Sequence, residues 1–411
     1  MKLRLVSREF DGFERSFGHQ IEEFKKLNPA VEITAEFLDL ATLHKEMLSD
    51  GGAKSGSADI FLCVTDWLPE AIQAGALTPL NSFLEADPPQ DWPHGWSPSM
   101  RSLQTAQDGQ IYGLAYHDGP EIFMYRKDLF EDPAGQARFA DQHGRELTPP
   151  KTWDEFVEVA KFFTRPEEGL WGACLAGFPD AHNNVYDFMI HLWSRGGSLL
   201  TKENRAAFNS PEGIAALQYL HDLYHLHKVV DPRCLDLDSV ASGIHYASGQ
   251  AAMMWNWSGF AALAEDKAIS KIVGKNGVAG MPRAEGPNGK AVSLNIYWVL
   301  TIPSGTENKQ AAYDFIRHCA STSMDKATSM LGGNGTRLST WRDPEVQAAF
   351  PYYKIIEEVH TSVESPPSIA QFTEIAELLS DMADDVMRQR KSVKEAIGTA
   401  ASRVDDLMAR V

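Results

Sequence analysis

The chain has 411 residues, of which 43% are apolar and 23% charged, an ordinary composition for a globular protein. This length exceeds what one compact core usually holds, so we expect two domains. The formal net charge of −18 argues against nucleic acid and anionic membrane surfaces as partners, since both attract clustered Lys and Arg. No apolar run approaches the roughly 18 residues of a membrane span.

The first 64 residues alternate between strand and helix patterns. Leu3–Ser7, Val31–Phe37 and Asp59–Val64 are predicted strands, and the last is apolar on both faces. Phe13–Leu27 and Leu43–Leu48 are predicted helices between them. This order predicts an α/β fold with a parallel sheet, on which ligands collect at the loops after the carboxyl ends of the strands.

The later elements follow the same mixed pattern. Predicted strands are Ile111–Tyr116, Ile122–Tyr125, Gly249–Met254 and Ser293–Ile302, and predicted helices are Trp153–Phe163, Asn209–His227 and the stretch from about Ile369 onward. Thr152 and Glu155 are spaced as a capping box for the helix that begins at Trp153.

The N-terminal alternation Met1–Val6 is too short for the core of a signal peptide, and we interpret it as the first strand. Two alternatives stay open: a leader was removed before this numbering begins, or the protein is not exported.

The chain has four cysteines that are far apart in the sequence: Cys63, Cys174, Cys234 and Cys319. Without a CxxC pair we expect four free thiols. His221 and His225 share a helix face at i and i+4, a spacing that suits zinc, but no third ligand is evident at a suitable spacing. We therefore expect no metal and no cofactor.

Six segments, in this order along the chain, resemble motifs of the family 1 extracellular solute-binding proteins of ABC importers: Asn28–Glu32, Gly75–Leu80, Asp108–Ala115, Met124–Phe130, Pro150–Phe156 and Gly249–Met254. Each motif alone is weak, and Ala115 stands where the family usually has Pro. Their shared order over nearly the whole chain identifies the chain as a member of this family.

The resemblance implies a type II-like periplasmic-binding-protein fold, with two α/β lobes joined by crossing hinge strands and a ligand cleft between the lobes. It places the N-lobe at residues 1–115 plus 297–325 and the C-lobe at 116–296 plus 326–411. The crossings are expected near Ala115–His117 and Asn295–Trp298, with a third near Met324–Met330.

Candidate ligand-binding residues combine polar groups that read sugar hydroxyls with aromatic rings that stack on sugar C–H faces. They are Arg8, Glu9, Asp66, Trp67, His117, Asp118, Asn183, Asn184, Trp255, Asn256, Trp257, Tyr297, Trp298, Asn334 and Arg337. Several have a structural alternative: an ordinary solvated turn for Arg8 and Glu9, a helix cap for Asp66, a hinge hydrogen bond for Asp118, a core position for either Trp255 or Trp257, and a surface salt bridge for Arg337.

The expected function is that of the substrate-binding component of an ABC importer, a non-enzymatic periplasmic, extracellular or lipid-anchored monomer that delivers a small carbohydrate to the transmembrane permease subunits. The bulky Asn295–Trp298 crossing favours a mono- or disaccharide, and Arg337 suggests an anionic derivative. A receptor for a non-sugar solute (a polyol, glycerol phosphate or a polyamine) is the alternative. A carbohydrate-active enzyme is the third interpretation, because glycosidases act through a pair of carboxylates and an acidic chain offers many such pairs.

Overall fold

The computed structural model describes residues 1–410. The strands are β1 (Lys2–Arg8), β2 (Glu32–Leu38), β3 (Ile60–Val64), β4 (Gly113–His117), β5 (Glu121–Arg126), β6 (Trp171–Cys174), β7 (Ala251–Trp257), β8 (Asn276–Ala279), β9 (Ser293–Leu294), β10 (Trp298–Thr301) and β11 (Val363–Glu364). The α-helices are α1 (Asp11–Leu27), α2 (Leu40–His44), α3 (Gly52–Ser55), α4 (Leu68–Gln73), α5 (Asn81–Ala86), α6 (Pro98–Gln104), α7 (Lys127–Phe130), α8 (Pro133–His143), α9 (Trp153–Phe163), α10 (Asn183–Ser194), α11 (Pro211–His225), α12 (Ser239–Ala247), α13 (Gly259–Leu263), α14 (Lys309–Cys319), α15 (Thr322–Met330), α16 (Leu338–Trp341), α17 (Pro344–Ala349), α18 (Tyr353–Val359), α19 (Phe372–Met387) and α20 (Val393–Met408). A π-helical turn spans Lys45–Ser49, and 3-10 turns span Pro166–Glu168 and Pro232–Asp236. Among these helices none is long and apolar enough to cross a membrane.

The described chain divides into two compact units, as the α/β pattern and the length predict. Unit 1 comprises residues 1–119, 296–361 and 368–370, and unit 2 comprises residues 120–295, 362–367 and 371–411.

The unit boundaries differ from the predicted lobes mainly in one segment, apart from the short stretches 116–119, 296 and 368–370, which also belong to unit 1. Residues 326–361, assigned from the sequence to the C-lobe, belong to unit 1. There α15 packs on α1, α16 and α17, and Arg337 bonds to the backbone of Gln90. The third passage between units therefore falls after Thr361, and the stretch Met324–Met330 lies in α15 instead.

Unit 1 is built on a five-stranded sheet in the order β2-β1-β3-β10-β4. Strand β1 runs parallel to β2 and β3, as predicted, whereas β10 runs antiparallel to β3 and β4. The single strand predicted over Ser293–Ile302 is wrong in extent, because only β9 and β10 form there. Between them the backbone of Tyr297 bonds instead to the backbone and hydroxyl of Thr65.

Unit 2 is built on a four-stranded sheet in the order β6-β7-β5-β8, with β9 and β11 paired apart from it. Strand β7 runs antiparallel to β5 and parallel to β6. The predicted N-cap of α9 is confirmed, since Thr152 Oγ1 accepts from the Glu155 amide at 3.2 Å. In a full capping box the Glu155 side chain would accept from the Thr152 amide, but here it accepts from the amide of the preceding residue, Lys151.

Helix α10 is buried along its whole length, which is unusual for a helix that carries charged residues. Asn183, Asp187 and His191 follow one another at i, i+4 and i+8, so they lie on one face of this helix. A buried polar face needs hydrogen-bond partners, and two tryptophans of unit 2 supply them for Asn183 and Asp187.

Candidate functional site

One edge of the unit 1 sheet gathers aromatic and basic side chains. Arg8 and His117 end β1 and β4, Trp67 follows β3, and Trp298 begins β10. Because β10 runs antiparallel to β3 and β4, its first residue lies at the edge where those strands end, and Trp298 pairs with Val64 and His117.

The rings at this edge pack edge to face around Trp298. The Trp67 and Trp298 centroids lie 6.1 Å apart, and Phe13 lies 6.0 Å from Trp298 and 4.8 Å from His117. The Arg8 guanidinium lies 5.7 Å from the Trp298 ring centre, a cation–π arrangement. Phe10 lies 6.2 Å from His117 and is 37% exposed, so the cluster extends to an apolar surface.

His117 acts here as a neutral hydrogen-bond acceptor. Its Nδ1 accepts from the Asn334 backbone amide at 2.9 Å. Removal from water, with a further effect from the Arg8 charge, lowers the pKa of His117 to about 3. The imidazole therefore carries no charge at neutral pH.

The remaining N-terminal candidates occupy turns. Glu9 is exposed, and its backbone amide donates to Leu38 O. Asp66 is half-buried in the turn after β3. Helix α4 begins at Leu68, one residue later than expected, with Trp67 in the N-cap position and Asp66 just before it.

Asp118 is joined to His360 inside unit 1. The distance between Asp118 Oδ2 and His360 Nε2 is 2.8 Å, and both side chains are almost completely buried. The Asp118 amide also donates to Asn334 O, which attaches the same residue to the loop before α16. This arrangement is the structural hydrogen bond considered for Asp118 from the sequence.

Three other unit 1 candidates hold internal positions. The Tyr297 hydroxyl donates to Met100 O, and Asn334 Oδ1 accepts from Tyr352 at 2.6 Å. Arg337 is fully buried, and its guanidinium donates to Ala320 O and Gln90 O, both at 2.8 Å. The salt bridge considered for Arg337 is present, with Asp91 at 3.4 Å, but the Arg337 side chain lies in the interior and not at the surface.

In unit 2 the face of β7 meets the polar face of α10. Trp257 Nε1 donates to Asn183 Oδ1 at 3.2 Å, and Trp255 Nε1 donates to Asp187 Oδ1 at 2.6 Å. The two tryptophans are two residues apart on a strand, so they project from the same side of the sheet. Their indoles satisfy successive polar groups of the helix.

The two tryptophans differ in exposure. Trp255 is 2% exposed and packs against Trp153 and Phe156, at centroid distances of 5.1 and 5.4 Å. Trp257 ends β7, is half-buried and contacts Tyr186 edge to face. The core position considered from the sequence is thus that of Trp255, and Trp257 is the ring with accessible surface.

The neighbouring amides are engaged in the interior. Asn256 Nδ2 donates to Ser239 O at 3.1 Å and to Ser242 Oγ at 3.0 Å, on the opposite side of β7. Asn184 Nδ2 donates to Ser380 Oγ at 2.9 Å and so connects α10 to α19.

Glu121 is a buried carboxyl that the sequence analysis did not single out. It begins β5 directly opposite Trp257, so the two side chains lie on the same face of the sheet. Glu121 is completely buried, and neither of its carboxyl oxygens has a hydrogen-bond partner among residues 1–410. A glutamate in the inward-facing register of an apolar strand is the sequence signal that could have revealed it.

The protonation of Glu121 is coupled to that of Asp187. Burial, and then the charge of Asp187, raises the pKa of Glu121 well above its ordinary value. Burial also raises the pKa of Asp187 to about 7, against the opposing effect of the Trp255 hydrogen bond. Burial and the neighbouring Asp187 charge therefore favour the protonated form of Glu121, which can both donate and accept a hydrogen bond.

Comparison with known proteins identifies relatives of the whole chain. Residues 13–326 match the family model described as bacterial extracellular solute-binding protein. The mannitol-binding protein of Pseudomonas aeruginosa is 25% identical over 81% of this chain and 73% of its own length. The arabinooligosaccharide-binding protein of Halalkalibacterium halodurans is 22% identical over 95% and 85%. The maltose-bound MalE3 of T. maritima superposes with a TM-score of 0.86 at 25% identity, covering 99% of both chains.

Two α/β units, with strand ends that present indoles and polar groups, define a binding protein of the two-lobed periplasmic class. The chain belongs to the bacterial extracellular solute-binding protein family, as the order of its motifs predicted.

Proposed function

We propose that this protein is the substrate-binding component of an ABC importer and that it captures a small neutral polyhydroxylated solute, either a mono- or disaccharide or a sugar alcohol. Three relatives support this ligand class through their names: one binds mannitol, one binds arabinooligosaccharides and one was solved with maltose.

The observation that carries the proposal is the pairing of Glu121 with Trp257. A neutral buried carboxyl with no partner among the described residues can bond to an adjacent pair of hydroxyls, donating to one and accepting from the other. An indole beside it offers a flat apolar face to the C–H groups of the same molecule. Polyhydroxylated carbon chains present these two features together.

The edge of unit 1 supports the same ligand class. Trp67, Trp298 and the exposed Phe10 supply aromatic surface, and Arg8 supplies donors beside it. Because His117 is neutral, it adds no charge to this edge at neutral pH.

The burial of Arg337 bears on ligand charge. Its guanidinium is engaged by two backbone carbonyls inside unit 1, so it does not supply an anion-binding group. We therefore favour a neutral ligand over the anionic derivative considered from the sequence. The mannitol-binding relative makes the sugar alcohol the second candidate.

We further propose that the protein acts as a monomer outside the cytoplasmic membrane, delivers its ligand to the permease subunits and performs no covalent chemistry. If the protein were instead a carbohydrate-active enzyme, Glu121 and Asp187 would be its acid and base. The experiment that measures binding therefore also looks for cleaved products.

The deciding experiment is isothermal titration calorimetry with mannitol, ribitol, glucose, maltose, glycerol phosphate and putrescine, followed by chromatography of the incubated mixtures. We expect micromolar or tighter binding of at least one neutral polyhydroxylated compound and recovery of that compound unchanged. Binding of only the phosphate or the amine would overturn the proposed ligand class. Release of cleaved products from maltose would overturn the non-enzymatic assignment.

A further inference from the structure

Unit 2 contains a second cluster of reactive side chains in three neighbouring elements. Cys174 ends β6, Cys234 lies in the 3-10 turn Pro232–Asp236, and His245 lies in α12. The two sulfur atoms are 3.6 Å apart, and one donor atom from each of the three side chains lies within 4.8 Å of the others. All three residues are buried.

The spacing of the two thiols matches that of two ligands on one metal ion. Two sulfur atoms at about 2.3 Å from a tetrahedral zinc ion lie about 3.8 Å from each other. The observed 3.6 Å is within a few tenths of an ångström of that distance. A disulfide, by contrast, requires the sulfur atoms to approach to about 2.0 Å.

The surroundings provide charge and orientation for such an ion. Asp231 Oδ2 lies 3.4 Å from His245 Nε2, and Asp231 is itself held by Arg233 at 2.6 Å. Carboxylates beside metal-binding histidines commonly fix the ring and its basicity.

We propose that Cys174, Cys234 and His245 bind one thiophilic divalent cation of the zinc class, with Asp231 as the adjacent carboxylate that positions His245. Two thiolates balance the double charge of the ion, which allows it to be buried. Thiolates, not thiols, are the metal-binding form, so the ion must displace a proton from each of the two cysteines and binding weakens in acid.

Occupancy would join three segments of unit 2. Strand β6, the 3-10 turn and α12 would share one ion, and the closed chain between the two cysteines would span 60 residue positions. An ion that binds the folded chain but not the unfolded chain raises the stability of the folded state by mass action. It would also protect two adjacent thiols from oxidation.

The test uses Co²⁺ as a spectroscopic probe for the zinc class, added to the full chain after chelator treatment in a phosphine reductant. We expect one Co²⁺ per chain, a thiolate-to-cobalt charge-transfer band in the near ultraviolet and displacement of the band by Zn²⁺. The substitutions C174S, C234S and H245Q should each abolish or shift the band.

The controls are C63S, C319S and H221Q, which change a buried thiol of unit 1 or the His221–His225 pair and should leave the band intact. Wild-type protein that shows no charge-transfer band overturns the proposal whether or not the variants fold. Full retention of the band in H245Q also overturns it, as does quantitative loss of two thiols to a disulfide under conditions where no Co²⁺ binds.

Discussion

The indole nitrogen of Trp255 donates to Asp187 at 2.6 Å in the interior of unit 2, while Trp257, two residues further along β7, donates to Asn183 at the strand end. The two bonds connect β7 to one face of α10 and place Glu121 beside them. One tryptophan thus serves the core, and the other presents the ring on which the proposed ligand stacks.

Replacement of Trp257 should weaken ligand binding. The substitution W257A removes the stacking face, and we expect the Kd of the ligand found by calorimetry to rise by about tenfold or more. The matched control is W171F, which changes a half-buried tryptophan at the other end of the unit 2 sheet, opposite Ala251. An equal loss of affinity in both variants would contradict the assignment of Trp257.

Replacement of Glu121 should separate its hydrogen bonding from its charge. Since burial favours the protonated form of the Glu121 carboxyl, E121Q retains a comparable donor and acceptor, and we expect it to bind the ligand much more tightly than E121A does. Titration calorimetry of both variants checks this order. If E121Q and E121A bind equally weakly, a negative charge is required and the neutral-carboxyl interpretation fails. The exposed control E131Q should bind as the wild type does.

Asp187 should make unit 2 less stable as the pH rises. Its folded pKa of about 7 lies above the value of roughly 4 for an unfolded Asp, so this group stabilises the folded chain fully only below about pH 4. That contribution is lost progressively up to about pH 7, where the folded carboxyl must ionise. We expect D187N, which keeps an acceptor for Trp255, to abolish this part of the pH dependence.

Urea unfolding of D187N and wild type at pH 4.5 and pH 7.5 measures the effect. The free energy of unfolding of D187N should improve relative to wild type at the higher pH. The exposed control D141N should show no such change, and an identical pH profile for D187N and wild type would refute the role of Asp187.

The buried Asp118–His360 pair should contribute strongly to stability. The substitution H360F keeps a ring that can stack on Trp341, which lies 4.6 Å away, but removes the partner of a buried carboxylate. We expect the free energy of unfolding to fall by about 3 kcal/mol or more.

The exposed Arg342–Glu357 pair provides the comparison for H360F. Both side chains are about half exposed, and R342A should cost less than about 1 kcal/mol. A similar loss of unfolding free energy in H360F and R342A would mean that the buried Asp118–His360 pair stabilises the protein no more than an exposed pair does.

Arg337 should act on stability and leave ligand affinity unchanged. The substitution R337Q removes two charge-assisted bonds from a fully buried guanidinium to backbone carbonyls, and we expect a loss of about 3 kcal/mol or more in unfolding free energy. Calorimetry of the folded variant should return the wild-type Kd. A large loss of affinity with unchanged stability would instead restore Arg337 as a ligand-binding residue.

The local elements of this protein could be predicted well from the sequence. The order β1, α1, β2, β3 and the cap at Thr152 depend on hydrophobic periodicity and on hydrogen bonds between near neighbours. The single strand predicted over Ser293–Ile302 failed, because hydrogen bonds of Tyr297 with Thr65, 232 positions away, interrupt it.

Among the candidate site residues, sequence position could not distinguish core from edge. Trp255 and Trp257 alternate identically along β7, and only the packing of Trp153 and Phe156 on the first makes it a core residue. Arg337 follows a glycine-rich turn that favours a ligand loop, yet its partners lie at Gln90 and Ala320.

The sequence by itself determined the α/β class, the parallel start of the first sheet and, through the order of its motifs, the family. These properties depend on short-range patterns that a single chain displays directly. The tertiary structure alone decided that Glu121 stands opposite Trp257, that Asp187 reaches Trp255 across 68 positions, and that Cys174 meets Cys234 across 60. Such contacts arise when separate elements pack together, and no local periodicity encodes which distant side chains will share one buried space.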